Sequence, residues 1–188
     1  MEYVQYFDFL AKRDNVNLFK QTIRSEQDFV TAGVIDYSNE YTNWRSAKVS
    51  FWNTRVEKVS DKLKELISSK YFEVCRMLNI DQLNDYKIDI QLTAHNHGDY
   101  FKAHADRSTD DETNNRVLTF VYYFYKIPKP FVGGELVIHG TERYSIDPYN
   151  NMIIFFKPEI LHEVLPICTD ENSFENSRFT LNGWLLKL

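Results

Sequence analysis

Val117-Leu-Thr-Phe-Val-Tyr-Tyr-Phe-Tyr125 is the stretch that decides the fold of this chain of 188 residues. Nearly all of its side chains are β-branched or aromatic. Strands in the middle of a sheet, which are covered on both faces, have this composition. We therefore expect the stretch to form a central strand.

After Ile80, apolar and polar residues alternate or the run is wholly apolar, and both patterns are typical of strands. From Tyr86 to Thr93, isoleucine and leucine lie on one face and aspartate and glutamine on the other. Proline and glycine between Pro128 and Gly134 indicate a connection. The remaining predicted strands are Glu135 to His139, Asn150 to Phe156, Leu161 to Leu165 and Arg178 to Lys187.

Before Ile80 the pattern is mostly helical. Apolar side chains recur at three- and four-residue steps from Val56 to Leu78. A shorter helix is expected from Val16 to Ile23, with Asp14 or Asn15 as its N-cap. Phe29 to Tyr37 and Lys48 to Trp52 are expected as strands. Helices followed by short strands predict an α+β fold, with a sandwich or jelly roll buttressed by the N-terminal helices.

The length and composition indicate one domain, residues 1–188, in which residues 1–80 pack on a strand-rich part, residues 81–188. The net charge is −5 and no basic cluster is present, which argues against nucleic acid as a partner. A membrane-spanning helix needs about 18 apolar residues, and no run in this sequence approaches that length. The N-terminal residues do not have the pattern of a secretory signal. Cys75, expected as a buried thiol, and Cys168 do not make a disulfide framework, so the cytoplasm is the expected compartment.

His104-Ala-Asp106 places two metal-binding side chains on one face of a predicted strand, because residues i and i+2 of a strand point the same way. With His162 from another strand, two histidines and a carboxylate can hold a metal ion and leave its other face open. A His-x-Asp sequence also occurs by chance. The alternative interpretation is a strand histidine that is hydrogen-bonded to a neighbouring carboxylate and binds no metal. A zinc hydrolase site is a further alternative.

Arg178 begins the last predicted strand, where a guanidinium can hold a carboxylate through two parallel hydrogen bonds. An exposed cation at a strand end is the alternative. The flanking residues are apolar, so a buried guanidinium with a carboxylate partner is favoured. His95 and His97 form a pair like that of a cupin metal site, but no glutamate follows at the required distance.

Six segments in order carry a resemblance to a known family. They are Gly98-Asp-Tyr-Phe-Lys-Ala-His-Ala-Asp106, Arg116-Val-Leu-Thr-Phe-Val-Tyr-Tyr123, Phe131-Val-Gly-Gly-Glu-Leu136, Pro148-Tyr-Asn-Asn-Met-Ile-Ile-Phe-Phe156, Leu161-His-Glu-Val-Leu-Pro166 and Arg178-Phe-Thr-Leu-Asn-Gly-Trp184. From about Ile88 to Leu188 the chain resembles the 2-oxoglutarate/Fe(II) dioxygenases of the prolyl 4-hydroxylase type. The resemblance implies a double-stranded β-helix, a jelly roll with helices packed outside it.

The iron ligands that the resemblance implies are His104, Asp106 and His162. Arg178 and Tyr123 would bind the far carboxylate of 2-oxoglutarate, and Thr119 would line the pocket. His95 stands where the family often has a tyrosine. It could donate a hydrogen bond to the cosubstrate or lie near the metal. A polar insert, Thr169 to Ser177, is expected as an exposed loop.

The implied activity is hydroxylation of an aliphatic C–H bond, with release of succinate and CO2. Fe(II), 2-oxoglutarate and O2 are required, and ascorbate is a further candidate cofactor. The resemblance favours a peptidyl or free amino acid as the substrate, with proline first. A small-molecule biosynthetic oxygenase and a non-catalytic binding module remain alternatives.

Arg116 and Trp184 are candidate residues of the pocket mouth, and the loop from Arg107 to Asn115 is expected to close over the substrate. The sequence does not predict an oligomeric state.

Overall fold

Two α-helices and fourteen strands form the part of the chain that the computed structural model describes, which comprises residues 1–32, 44–50, 55–108 and 112–188. The helices are α1 (Lys12–Ile23) and α2 (Glu57–Leu78). The strands are β1 (Tyr3–Tyr6), β2 (Val30–Thr31), β3 (Arg45–Ser46), β4 (Lys48–Ser50), β5 (Tyr86–His95), β6 (Tyr100–His104), β7 (Arg116–Phe124), β8 (Phe131–Gly133), β9 (Leu136–His139), β10 (Arg143–Ile146), β11 (Met152–Phe156), β12 (Leu161–Val164), β13 (Ile167–Thr169) and β14 (Arg178–Lys187).

The strands form a large and a small antiparallel sheet. The large sheet has the order β1-β11-β7-β14-β5-β4-β2, and the small sheet has the order β10-β9-β12-β6-β3. A separate pair joins β13 to β8. The central strand predicted from Val117 to Tyr125 is confirmed, because β7 lies between β11 and β14. Side chains of both sheets line a common pocket, as the predicted jelly roll requires.

Side chains on β7 and β14 alternate between a core face and a pocket face. Apolar side chains of both strands join the main core, and β14 turns polar side chains to the pocket. The core-facing residues are Leu118, Phe120, Tyr122 and Phe124 of β7 and Phe179, Leu181 and Leu185 of β14. Position 183 requires glycine, because a Cβ there would collide with the Asp89 carbonyl and come within 2.8 Å of Phe120.

Helix α2 shields this core face from solvent. Its predicted helical pattern is confirmed, because Leu63, Ile67 and Val74 are fully buried and belong to the same core as the strand side chains. Each side chain of this size contributes roughly 1.5–3 kcal/mol when it leaves water. Cys75 is a buried thiol, as expected.

Helix α1 begins earlier than the sequence indicates. It starts at Lys12 after Ala11, which has no capping group on its side chain. Asp14 lies in the first turn, where its carboxylate interacts favourably with the positive end of the helix dipole. Asn15 is buried and accepts a hydrogen bond of 2.8 Å from the Tyr122 hydroxyl. The prediction of an Asp14 or Asn15 cap is therefore wrong, because tertiary packing uses Asn15 elsewhere.

The polar insert is a continuously exposed loop only over residues 170–172, because Thr169 is buried as the last residue of β13. Residues Phe174–Asn176 form a 3-10 turn, and the Phe174 ring packs edge-on against Phe179 at 5.2 Å and Phe29 at 5.0 Å. The exposed-loop prediction is wrong for the rest of the insert, because Thr169 pairs within β13 and Phe174 anchors the second half to the core.

Two predicted strands are only partly within the described residues. Val30–Thr31 and Lys48–Ser50 are strands, whereas residues 33–43 and 51–54 lie outside the described ranges. Within those ranges, neither helix combines the length and the apolar run that crossing a bilayer would require.

Candidate active site

Three potential metal ligands meet between the two sheets. His104 on β6 and His162 on β12 are directly opposite each other in the small sheet, and Asp106 follows β6. One ligand atom from each residue lies within 4.8 Å of the other two. The structure therefore brings together all three predicted ligands. His97 and His139, the other described histidines of the strand region apart from His95, lie outside this group.

Backbone carbonyls orient both imidazoles. His104 Nδ1 donates to the Lys102 carbonyl at 2.8 Å, and His162 Nδ1 donates to the Ile160 carbonyl at 2.9 Å. A carbonyl can only accept, so each Nδ1 carries the hydrogen and each Nε2 keeps its lone pair for a metal. Burial, and next the neighbouring His162, lower the pKa of His104 to about 4, which keeps it in the neutral form that binds metals.

Further contacts hold the ligands in place. Thr119, expected to line the pocket, does so and also donates a hydrogen bond of 2.8 Å to Asp106 Oδ2. Phe101 stacks on His104 with 3.5 Å between ring centroids, and Phe156 meets His162 edge-on at 4.7 Å. A metal held here would have one carboxylate oriented by a hydroxyl and two imidazoles enclosed by aromatic rings.

Arg178 is a buried cation on the other side of the same pocket. Only 1% of its surface is exposed, and its guanidinium carbon lies 4.8 Å from the Tyr123 ring centroid. Burial lowers its pKa, and Tyr123 and Glu135 offset only part of this. Neither Nε nor Nη2 has a hydrogen-bond partner among the described residues. The alternative of an exposed strand-end cation is therefore wrong.

His95 lies beside Arg178, opposite it in the β5–β14 ladder. Its Nδ1 is 3.4 Å from Arg178 Nη1, which donates, so the imidazole hydrogen belongs on Nε2. Its pKa lies well below the ordinary value because the ring is buried and because Arg178 and Arg45 are near. His95 is thus a neutral donor next to the cation, and it is not part of the metal-ligand group.

Unpartnered buried donors are concentrated around this pocket. Nine buried side-chain polar atoms of the described residues have no hydrogen-bond partner, and six of them lie here. The six are Arg45 Nε, His95 Nε2, Tyr123 Oη, Arg178 Nε, Arg178 Nη2 and Trp184 Nε1. Buried polar groups are normally satisfied, so such a group points to an absent ligand. Because all six can donate, that ligand is rich in acceptors, as a dicarboxylate such as 2-oxoglutarate is.

The pocket holds about 550 Å³ of space, counting the part open to solvent. The structure adds three polar residues that the sequence did not single out, namely Arg45, Gln91 and Asn182. Asn182 could have been found, because it continues the alternation from Arg178 and Thr180 along β14. Arg45 could not, because no motif surrounds it and its position depends on pairing with β6.

The two predicted mouth residues contact each other. The Arg116 guanidinium lies 3.7 Å from the Trp184 ring centroid and donates to the Asp106 carbonyl at 2.7 Å. Trp184 lines the pocket. Residues 109–111, in the middle of the loop that was expected to close over the substrate, lie outside the described residues.

Comparison with known proteins agrees with this geometry. The sequence model described as the 2OG-Fe(II) oxygenase superfamily matches residues 90–186. An uncharacterized PKHD-type hydroxylase from Synechocystis is 33% identical over 196 residues, which cover 98% of this chain and 63% of that protein. This chain therefore spans under two thirds of that relative.

Solved structures share the fold at low sequence identity. A Pseudomonas putida prolyl-4-hydroxylase has a TM-score of 0.75 at 18% identity, over 100% of this chain and 93% of its own. A prolyl hydroxylase from Trichoplax adhaerens, in complex with a peptide fragment of hypoxia inducible factor, has a TM-score of 0.72 at 18% identity, covering 98% and 83%. These neighbours are jelly-roll oxygenases, so the predicted jelly roll is confirmed.

Proposed function

Because this chain belongs to the 2OG-Fe(II) oxygenase superfamily, we propose that it hydroxylates an aliphatic C–H bond of a peptidyl or free amino acid, with proline as the first candidate. Fe(II), 2-oxoglutarate and O2 are the required cofactors, succinate and CO2 are the coproducts, and ascorbate is a candidate accessory. A small-molecule substrate for the same chemistry is the alternative.

One observation carries this proposal. The buried Arg178 guanidinium, whose Nε and Nη2 have no hydrogen-bond partner among the described residues, shares a pocket with a two-histidine, one-carboxylate ligand set. The ligand set alone is compatible with a zinc hydrolase. A hydrolase does not explain why a fully buried guanidinium leaves Nε and Nη2 without an acceptor among the described residues. A cosubstrate with one carboxylate near the metal and a second at Arg178 explains both features.

The chain's own residues have separable roles in this mechanism. His104, His162 and Asp106 would hold the iron, and Arg178 and Tyr123 would hold the far carboxylate. His95 would donate a hydrogen bond to the same cosubstrate. Bound iron, with 2-oxoglutarate and O2, supplies the oxidation that replaces C–H with C–OH. The protein orients the reactants and excludes water, for which Phe101 and Phe156 are placed beside the ligands.

The wider organisation is also part of the proposal. We assign an α+β class and a single domain, in which residues 1–80 support residues 81–188. The support comes from the shared core of α2 with the large sheet and from strands β1 to β4, which extend both sheets. Both cysteines are free, in accord with a reducing cytoplasm. The peptide bound by the Trichoplax relative supports a peptidyl substrate for this chain.

Succinate formation tests the proposal. The purified protein, supplied with Fe(II), 2-oxoglutarate and O2, is expected to release succinate, and the rate is expected to rise with a true substrate that gains one oxygen atom by mass. Asp106→Ala should abolish this turnover. Asp147→Ala, which removes an exposed carboxylate paired with Lys129, is the matched control.

Two results would contradict the proposal. A non-catalytic binding module would bind metal and 2-oxoglutarate but release no succinate with any substrate. Retained turnover by Asp106→Ala, with a normal iron content, would show that the metal site has been assigned wrongly.

A further inference from the structure

Arg45 is a second arginine in the pocket and has no role in the proposed binding of iron and 2-oxoglutarate. It lies on β3, at the edge of the small sheet, with its guanidinium carbon 4.8 Å above the Phe101 ring centroid. Its Nη2 donates to Gln91 Oε1 on β5 of the large sheet at 3.3 Å. Arg45 therefore bridges the two sheets along one wall of the pocket, near the metal ligand His104.

The described residues compensate this guanidinium only in part. Its Nε is buried without a hydrogen-bond partner, and it forms no ion pair with a carboxylate of the described residues. Burial lowers its pKa to about 10, and the Asp106 carboxylate opposes this. The guanidinium is still charged at neutral pH. A buried charge that is only partly compensated is costly, so the site is suited to an anion that binds from outside.

The amides beside Arg45 leave donors rather than acceptors for such an anion. Gln91 Oε1 accepts from Arg45 and, at 3.4 Å, from Asn182 Nδ2. Asn182 Oδ1 in turn accepts from Thr93 at 2.8 Å and Thr180 at 3.2 Å. Since protein donors occupy both amide oxygens, the wall formed by Arg45, Gln91 and Asn182 presents N–H groups to the pocket.

The two carboxylates of 2-oxoglutarate are already accounted for, one by Arg178 and one by the metal. The geometry points to a carboxylate subsite at Arg45, Gln91 and Asn182 that binds the primary substrate, a refinement that rests on the proposed function. A neutral peptide carbonyl would leave the Arg45 guanidinium without a direct ion-pair partner among the described residues. The substrate class is therefore a free amino acid or another small carboxylic acid, or a peptide that presents a terminal or side-chain carboxylate.

Equilibrium binding tests this subsite without turnover. The protein, loaded with Zn(II) and 2-oxoglutarate, is titrated calorimetrically with each free amino acid and its amide, beginning with L-proline and L-prolinamide. Gly-L-proline and an acetylated, amidated tripeptide with proline in the middle separate a terminal carboxylate from an interior residue. At least one carboxylate compound is expected to bind about 10- to 100-fold more tightly than its amide, as a charge-assisted hydrogen bond predicts.

Variants connect this preference to Arg45. Arg45→Met should remove the advantage of the carboxylate over the amide, and Arg45→Lys should keep part of it, because the charge remains without the planar fork. Arg143→Met, on the exposed face of β10, should bind like the wild type. Thermal unfolding of each variant confirms that it is folded.

Three outcomes would overturn the subsite. They are equal binding of all carboxylates and their amides, no binding by any compound of the panel, and an Arg45→Met variant that loses affinity for 2-oxoglutarate instead. A different result would refute the proposed function without refuting the subsite. A wild-type protein that binds carboxylates through Arg45 but forms no succinate with Fe(II) would keep the subsite and lose the oxygenase.

Discussion

Replacing Arg178 by methionine should affect ligand affinity and protein stability in opposite directions. Arg178 has two buried nitrogen atoms, Nε and Nη2, whose N–H groups have no partner among the described residues. If each makes a charge-assisted hydrogen bond of about 1.5–3 kcal/mol to 2-oxoglutarate, the variant loses about 3–6 kcal/mol. The dissociation constant for 2-oxoglutarate should then rise roughly 100- to 20,000-fold.

Without ligand, the Arg178→Met variant should be no less stable than the wild type. A buried charge that is only partly compensated costs several kcal/mol, whereas the shorter methionine forfeits roughly 1–3 kcal/mol of packing. We therefore expect the free energy of unfolding of the ligand-free Arg178→Met variant to equal or slightly exceed that of the wild type. A purely structural arginine would behave differently, because its loss would destabilise the protein whether or not ligand is present.

Urea unfolding with and without 2-oxoglutarate measures both effects. At about 100 times its dissociation constant, 2-oxoglutarate should stabilise the wild type by about 2.7 kcal/mol, and the same concentration should not stabilise the variant. Arg143→Met, which removes an exposed charge, is the control. The reasoning is refuted if Arg178→Met is more than about 2 kcal/mol less stable without ligand and still binds 2-oxoglutarate like the wild type.

Three further perturbations address the residues around the ligands. Thr119→Val removes the hydrogen bond to Asp106 Oδ2, so the dissociation constant for Mn(II) should rise about 10- to 100-fold, and an unchanged value would mean that Asp106 is oriented otherwise. Gly134→Ala places a Cβ 2.8 Å from Arg178 Cδ at a φ of +74°. The affinity for 2-oxoglutarate should therefore fall while the affinity for Mn(II) is unchanged, and a variant that binds 2-oxoglutarate as tightly as the wild type would contradict this. His95 stays neutral in the folded protein but gains a proton in the unfolded chain below a pH of about 6.5, so metal-free stability should fall as pH decreases from 7 to 5. His95→Gln should reduce that slope in urea titrations, and His104, whose pKa is also lowered, should account for the remainder. An equal slope would exclude His95 as a contributor.

Local patterns predicted the parts of the fold in which burial alternates along the chain. The central strand from Val117 to Tyr125 and the helix within Val56 to Leu78 were recognisable because their periodicity matches the face that they bury. The four-residue strand β1 was not predicted. It is stabilised by pairing with β11, about 150 residues away, and short segments carry little periodicity of their own.

The candidate site shows the same division. His104, Asp106, His162 and Arg178 could be proposed because their side-chain chemistry is distinctive and their segments occur in a recognisable order. Thr119 was expected only as a lining residue, and its contact with Asp106 required the three-dimensional structure. Asn15 was misread as a helix cap because its partner, Tyr122, is 107 positions away in the sequence.

The alternation along β7 and β14 has a consequence for evolution and protein engineering. Even-numbered positions of β14, from Arg178 to Trp184, face the pocket, whereas its odd-numbered phenylalanine and leucines support the helices. Substrate preference can therefore diverge through exchanges at one parity, such as at Asn182, while the other parity preserves the scaffold. A single-residue deletion within β14 would instead exchange the two sets and lose both at once.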